Sequence, residues 1–165
     1  PILFHIGGEK NDYGLIDEIG LPRLEKSLAR FPKLKFIGHS QKFWAEISLD
    51  VTEKNRNGYP QGPVRPGGRV VTLMRKYENL CGDLSAGSGA NAIMRDPAFG
   101  YAFIEEFQDR LFFGTDICAP ENRGSFRLSL SAYLDEAVSA GHISKKAYEK
   151  VCRDNALAIL NPSLA

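Results

Sequence analysis

The stretch Leu111-Phe112-Phe113-Gly114-Thr115-Asp116 decides the fold class. Three apolar residues in a row, a glycine and a polar tip read as a short strand buried on both faces, since a half-buried strand alternates instead. Asp109-Arg110 leads into it and Pro120 closes the loop beyond it. Asp116 then sits just past the C-terminal end of the strand. In α/β folds that edge is where ligands bind and catalytic groups collect. The other role open to such an aspartate is to cap the following turn.

Three more stretches repeat the pattern. Pro1-Ile2-Leu3-Phe4-His5-Ile6-Gly7-Gly8 is apolar and ends on a histidine and a glycine pair, Leu34-Lys35-Phe36-Ile37-Gly38-His39 ends on Gly-His, and Asn79-Leu80-Cys81-Gly82-Asp83-Leu84-Ser85 ends on polar groups. Helices are predicted between them. Over 22–31, Pro22 takes the first position, Leu24, Leu28 and Phe31 recur at helical spacing, and Pro32 stops the run. Residues 40–48, with Phe43, Trp44 and Ile47, read as a short helix, and 68–77 as another, with Val70, Leu73, Met74 and Tyr77 inward. Asp96-Pro97 is an N-cap and first-position pair opening a helix to about Phe107, with Phe99, Phe103 and Phe107 on one face. Helices over 125–140, 144–152 (capped by Ser144) and 156–160 follow, and Asn161-Pro162 ends the last.

The longest irregular stretch runs over 52–68, rich in Gly, Pro and Asn; Arg56, Arg65 and Arg69 are assigned to it. Long loops in compact domains are commonly functional or disordered. Arg65 and Arg69 are candidate partners for a substrate carboxylate, against a plainer role as solvated loop charges. Trp44, five residues after His39, is a candidate pocket wall or a packing residue.

Alternating strands and helices argue for parallel βαβ units in an α/β fold. Right-handed crossovers place every strand's C-terminus on one edge, so His5, His39, Asp83 or Ser85, and Asp116 are expected to converge. Imidazole with carboxylate is the donor set of a catalytic divalent metal, most often Zn. His5 taken alone fits a hydrogen-bonded core histidine equally well. His142, beside the helix break at Gly141, is expected to be exposed and structural.

Composition bounds the rest. The chain has 165 residues, 43% of them apolar, and a formal net charge of +1; this suits one globular domain with a sizeable core. No basic stripe points to nucleic acid. No apolar run approaches the roughly 20 residues needed to span a bilayer. Cys81, Cys118 and Cys152 form no C-x-x-C pair, and their odd number suits reduced thiols in the cytoplasm. The chain opens on Pro1 and runs directly into a core strand, so it is expected to be a processed or truncated piece.

The segments Pro1 to Gly7, Phe36 to His39, Asn79 to Ser85 and Arg110 to Asp116 resemble strands five to eight of the amidohydrolase superfamily. The closest likeness is to the amidohydrolase-2 branch, which includes the aminocarboxymuconate-semialdehyde decarboxylase type. The ending Asp154-Asn155-Ala156-Leu157-Ala158-Ile159-Leu160 is similar to that branch's final helix. The resemblance implies a (β/α)₈ TIM barrel with metal, Zn or else Mn, at its C-terminal face. It implies His5 and Asp116 as metal ligands, Asp116 also as proton acceptor, and His39 as acid–base residue or as ligand to a second metal. The family's strand-one His-x-His pair has no counterpart here, and a full barrel needs about 250 residues. Residues 1–165 are therefore expected to be the C-terminal half of a barrel, completed by a missing N-terminal half or by a homo-oligomer partner. Three functions follow as expectations: metal-dependent hydrolysis of a small carboxylic, lactone or amide substrate, non-oxidative decarboxylation of an aromatic or enoic acid, or a non-catalytic half barrel that binds a partner chain.

Overall fold

A computed structural model of the chain describes residues 1–7, 13–122 and 129–161. Gly8 of the predicted first strand, the start of the helix expected over 125–140 and Pro162 lie outside the described residues. The fold is α/β. The chain divides into two compact units, Pro1–Gly82 and Asp83–Ala165.

In the first unit β1 (Ile2–His5) is followed by α1 (Pro22–Arg30), β2 (Phe36–His39), α2 (Gln41–Ala45), α3 (Arg69–Lys76) and β3 (Leu80–Asp83), whose last residue begins the second unit. The strands are parallel. Ile2 pairs with Phe36 and His5 with His39; Phe36 in turn pairs with Leu80 and Gly38 with Gly82. Phe4, Phe36 and Gly38 are buried. Gly38 has no side chain because Phe43 occupies that space: a Cβ there would lie 2.3 Å from the Phe43 ring. The Phe43 ring also meets Phe4 edge-on at 5.8 Å.

Polar side chains close the connections. Asp17 accepts from the amides of Arg23 (3.0 Å) and Leu24 (2.8 Å), satisfying orphan donors of the first turn of α1. Asn79 donates to the carbonyls of Leu28, Phe31 and Leu34, stapling the turn between α1 and β2. The stretch predicted as irregular is anchored through a buried ion pair. Arg56, 2% exposed, pairs with Glu46, 1% exposed, at 3.1 Å, and donates to the carbonyls of Asp17 and Glu18. Along the open side of β1, Ile2, Phe4, Leu15, Ile16 and Leu24 line an apolar groove of about 190 Å³.

The second unit holds α4 (Ala86–Met94), α5 (Pro97–Phe107), β4 (Leu111–Phe112), a single 3₁₀ turn (Pro120–Asn122), α6 (Ser129–Ser139), α7 (Lys145–Glu149), a π-helical turn (Lys150–Asp154) and α8 (Asn155–Leu160). In the first unit the strand order is β1-β2-β3. Only Leu111–Phe112 of the deciding stretch is regular strand; the Leu84 amide donates to the Phe112 carbonyl at 2.8 Å. The sequence pattern predicts no element over 86–95, where α4 forms around Gly87 and Gly89. Gly89 is required there: a Cβ would lie 2.4 Å from the Leu84 backbone. Asp96 and Ser144 cap α5 and α7 as predicted, accepting from the amides of Phe99 and Ala147.

The two terminal helices read separately from the sequence are joined by the π-helical turn. There the Asn155 amide donates to Lys150, five residues back, and the Val151 carbonyl accepts from Phe113 at 2.9 Å. Asn155 also donates through its side chain to the carbonyls of Gln108 (2.7 Å) and Leu111 (2.8 Å), anchoring the start of β4. His142 is exposed, as expected, and stacks on Tyr101 at 4.6 Å. Among the described residues no helix is long and apolar enough to cross a membrane.

Candidate functional site

His5 and His39 end adjacent parallel strands and stand directly opposite in register. Side chains alternate along a strand and both residues occupy the last position, so the two rings share a face. Their centroids are 5.6 Å apart with planes tilted by 44°. Both residues are half-buried. Tyr13, 79% exposed, meets His5 edge-on at 5.2 Å. The chain passes this close because residue 14 is glycine: at φ 113°, a Cβ on Gly14 would fall 2.4 Å from the His5 carbonyl oxygen and 2.7 Å from His5 Nδ1. Leu15 completes the wrap, its amide donating to the His5 carbonyl at 2.7 Å and its carbonyl accepting from Gly7 at 2.8 Å.

The residue after His39 is unusual. Ser40 is 1% exposed and adopts φ 114°, ψ 166°, a region essentially confined to glycine. Holding another residue there costs about 1–3 kcal/mol. Its hydroxyl oxygen accepts from the amides of Ile6 (3.2 Å) and Phe43 (3.3 Å).

In the second unit Asp83 and Ser85 form one compact turn. The Asp83 carboxylate accepts from the Ser85 amide (2.9 Å) and hydroxyl (2.7 Å). The loop after β4 presses on this turn at Gly114, where a Cβ would lie 2.9 Å from Ser85 Cβ. Asp116 follows, exposed and left-handed at φ 55°, a conformation Asp tolerates better than most residues. The first unit thus brings the two histidines together, and the second brings the Asp83 turn to the loop carrying Asp116.

The other candidates are placed as follows. Trp44 is 2% exposed and packs edge-on against Phe43 at 5.1 Å. Arg69 belongs to α3 rather than to the loop; it donates to the Gly20 carbonyl at 2.7 Å and pairs with Glu25. Arg65 is exposed, and its backbone bonds Ser48 and Leu49. Cys152 is no activated nucleophile, since burial pushes its thiol up to about 11.

Two imidazoles side by side offer two nitrogen donors to a metal. A catalytic Zn is typically held by three protein ligands, and the described residues contain no group of three His, Cys, Asp or Glu side chains arranged to hold an ion. The pair fits part of such a site, and the described residues do not complete it. In comparison with known proteins, no family model, no curated protein and no solved structure matches the chain.

Proposed function

We propose that the chain is the strand-five-to-eight half of an amidohydrolase-like (β/α)₈ barrel. Its activity is metal-dependent hydrolysis of a small carboxylic, lactone or amide substrate. The observation that supports this reading is the pairing of His5 with His39 at the C-terminal ends of neighbouring parallel strands, the edge at which barrel enzymes carry their chemistry.

His5 and Asp116 would hold the divalent metal, Zn or Mn, with further ligands from a complementary half or a second copy of the chain. When bound, such an ion lowers the pKa of its water towards about 7. Asp116 would take the proton of the attacking water, and its exposure leaves it open to solvent. His39 orients the substrate or relays a proton to the leaving group. Of the two arginines, Arg65 is the better match for a substrate carboxylate, because Arg69 is already bonded to Gly20 and Glu25. A reducing, cytoplasmic compartment suits three cysteines that form no disulfide with one another.

The test is elemental metal analysis of the purified chain with its intact mass, then turnover of lactone, amide and carboxylate substrates with a complementary half supplied. His5→Ala and Asp116→Ala should each lower metal occupancy, while His39→Ala should lower turnover with less loss of metal. Equal metal loss in all three would refute this division of roles. Release of CO₂ from an aromatic or enoic acid would replace hydrolysis with decarboxylation. Neither metal nor turnover with the complementary half present would leave a binding role only.

A further inference from the structure

We infer that Ser40 is a positioning residue that holds the His5 and His39 imidazoles side by side, an assignment that rests on reading this pair as the functional site. Ser40 directly follows His39, and the amide its hydroxyl captures belongs to Ile6, which directly follows His5. The same oxygen accepts from Phe43 in the first turn of α2. One side-chain atom therefore ties together both histidine-bearing strand ends and the helix that leaves them.

The ladder explains why such a tie is needed. Ile2 pairs with Phe36 and donates to the Lys35 carbonyl. Carried two rungs on, that register would send the Ile6 amide to the His39 carbonyl. The Ile6 amide goes to the Ser40 hydroxyl instead. At the same level β1 takes up Leu15 on its outer side. The regular β1–β2 ladder thus ends at the histidine rung, and Ser40 continues the link past it.

The backbone supports the same assignment. At φ 114°, ψ 166° glycine would be the comfortable residue. The contribution a serine makes there and a glycine cannot is the hydroxyl acceptor, and both of its amide donors belong to this corner.

Ser40→Gly is the decisive variant, since it removes the hydroxyl while relieving the backbone. The readouts are nuclear Overhauser contacts between the His5 and His39 ring protons, and amide hydrogen exchange, in the isotopically labelled chain. In S40G the inter-ring contacts should fade and the Ile6 amide should exchange about tenfold faster, the scale of one lost hydrogen bond. The Phe36 and Leu80 amides should keep their protection. Unchanged inter-ring contacts in S40G would overturn the assignment. So would an unfolded S40G, or a general loss of protection along β1 and β2, because Ser40 would then hold the fold rather than the pair. Titration with Co²⁺ alone tests the metal reading separately. Wild-type His5 and His39 resonances that ignore Co²⁺ even with a complementary half supplied would sink that reading and leave the positioning result standing.

Discussion

Glu46 and Arg56 meet at 3.1 Å in the interior of the first unit, and each is bonded to backbone as well as to the other. Arg56 holds the carbonyls of Asp17 and Glu18, and Glu46 accepts from the Gly20 amide at 3.1 and 3.2 Å. The two partners are therefore unequal when removed. Arg56→Met leaves two carbonyls and a buried carboxylate uncompensated, a loss on the order of 3–5 kcal/mol. Glu46→Gln strips the buried Arg56 of its counter-charge but keeps an acceptor for the Gly20 amide and the guanidinium and leaves Arg56 its two carbonyls, so it should cost less, about 1–3 kcal/mol. Denaturant unfolding of the two variants checks the ranking; equal losses would contradict it.

Glu46 also sets a pH signature. Burial raises its carboxyl above the ordinary value of 4.5, against the opposing pull of Arg56 and the Gly20 amide, while Asp17 and Glu53 add to the rise. The folded state then binds a proton more readily than the unfolded chain. Stability from this group is present at low pH and falls as pH rises from 4.5 through the raised value. Glu25 has the opposite sign: the hydrogen bond from Lys76, aided by Arg69, holds it below 4.5. Its contribution is present above 4.5 and is lost as pH falls through the lowered value. Subtracting the stability of E46Q from that of wild type isolates Glu46. The difference should decline as pH rises above 4.5 and then level off; a difference that grows with pH would reverse the sign.

The strands and most helices were legible because each carries a local signal. Pro22 presets the backbone at a helix start, while Asp96 and Ser144 act through bonds three residues away, and those two caps form where the sequence places them. The pairing of His5 with His39 was legible too, since it needs only parallel strands that end alike. What stayed hidden depends on residues far apart. Asn79 reaches back 51 residues to Leu28, and Arg56 reaches 39 residues to Asp17. Helix α4 was obscured because Gly87 and Gly89 are poor helix formers, and its reason for existing is the close approach to Leu84. Ser40 carried no signal: N-cap serines are common, and only its backbone angles mark it out.

Asn155 is a similar staple in the second unit. Its amide nitrogen donates to the carbonyls of Gln108 and Leu111, which flank the start of β4. Asn155→Ala removes both bonds from a partly buried site and should cost about 1–3 kcal/mol. Asn155→Asp keeps the shape but sets a carboxylate against two carbonyl oxygens, so it should be worse than alanine at neutral pH. Thermal unfolding of both variants tests this. Aspartate equal to or better than alanine would mean that the two carbonyls do not depend on a donor here.

Gly14→Ala probes the histidine corner from its other side. The glycine sits at φ 113°, and an added Cβ would meet the His5 carbonyl oxygen at 2.4 Å and His5 Nδ1 at 2.7 Å. Both contacts are too close to absorb without movement, and the backbone angle disfavours alanine independently. Because β1 is held to β2 through the register from Ile2 to His5, the segment 13–15 should yield first. The bond from the Leu15 amide to His5 and the edge contact of Tyr13 should then be lost while the β1–β2 ladder persists. Amide exchange at Leu15 should accelerate by about tenfold or more in G14A, with the Phe36 amide unchanged. The ring contact between Tyr13 and His5 should disappear from the nuclear Overhauser spectrum, and retention of that contact would show that Gly14 is not what lets Tyr13 reach the site.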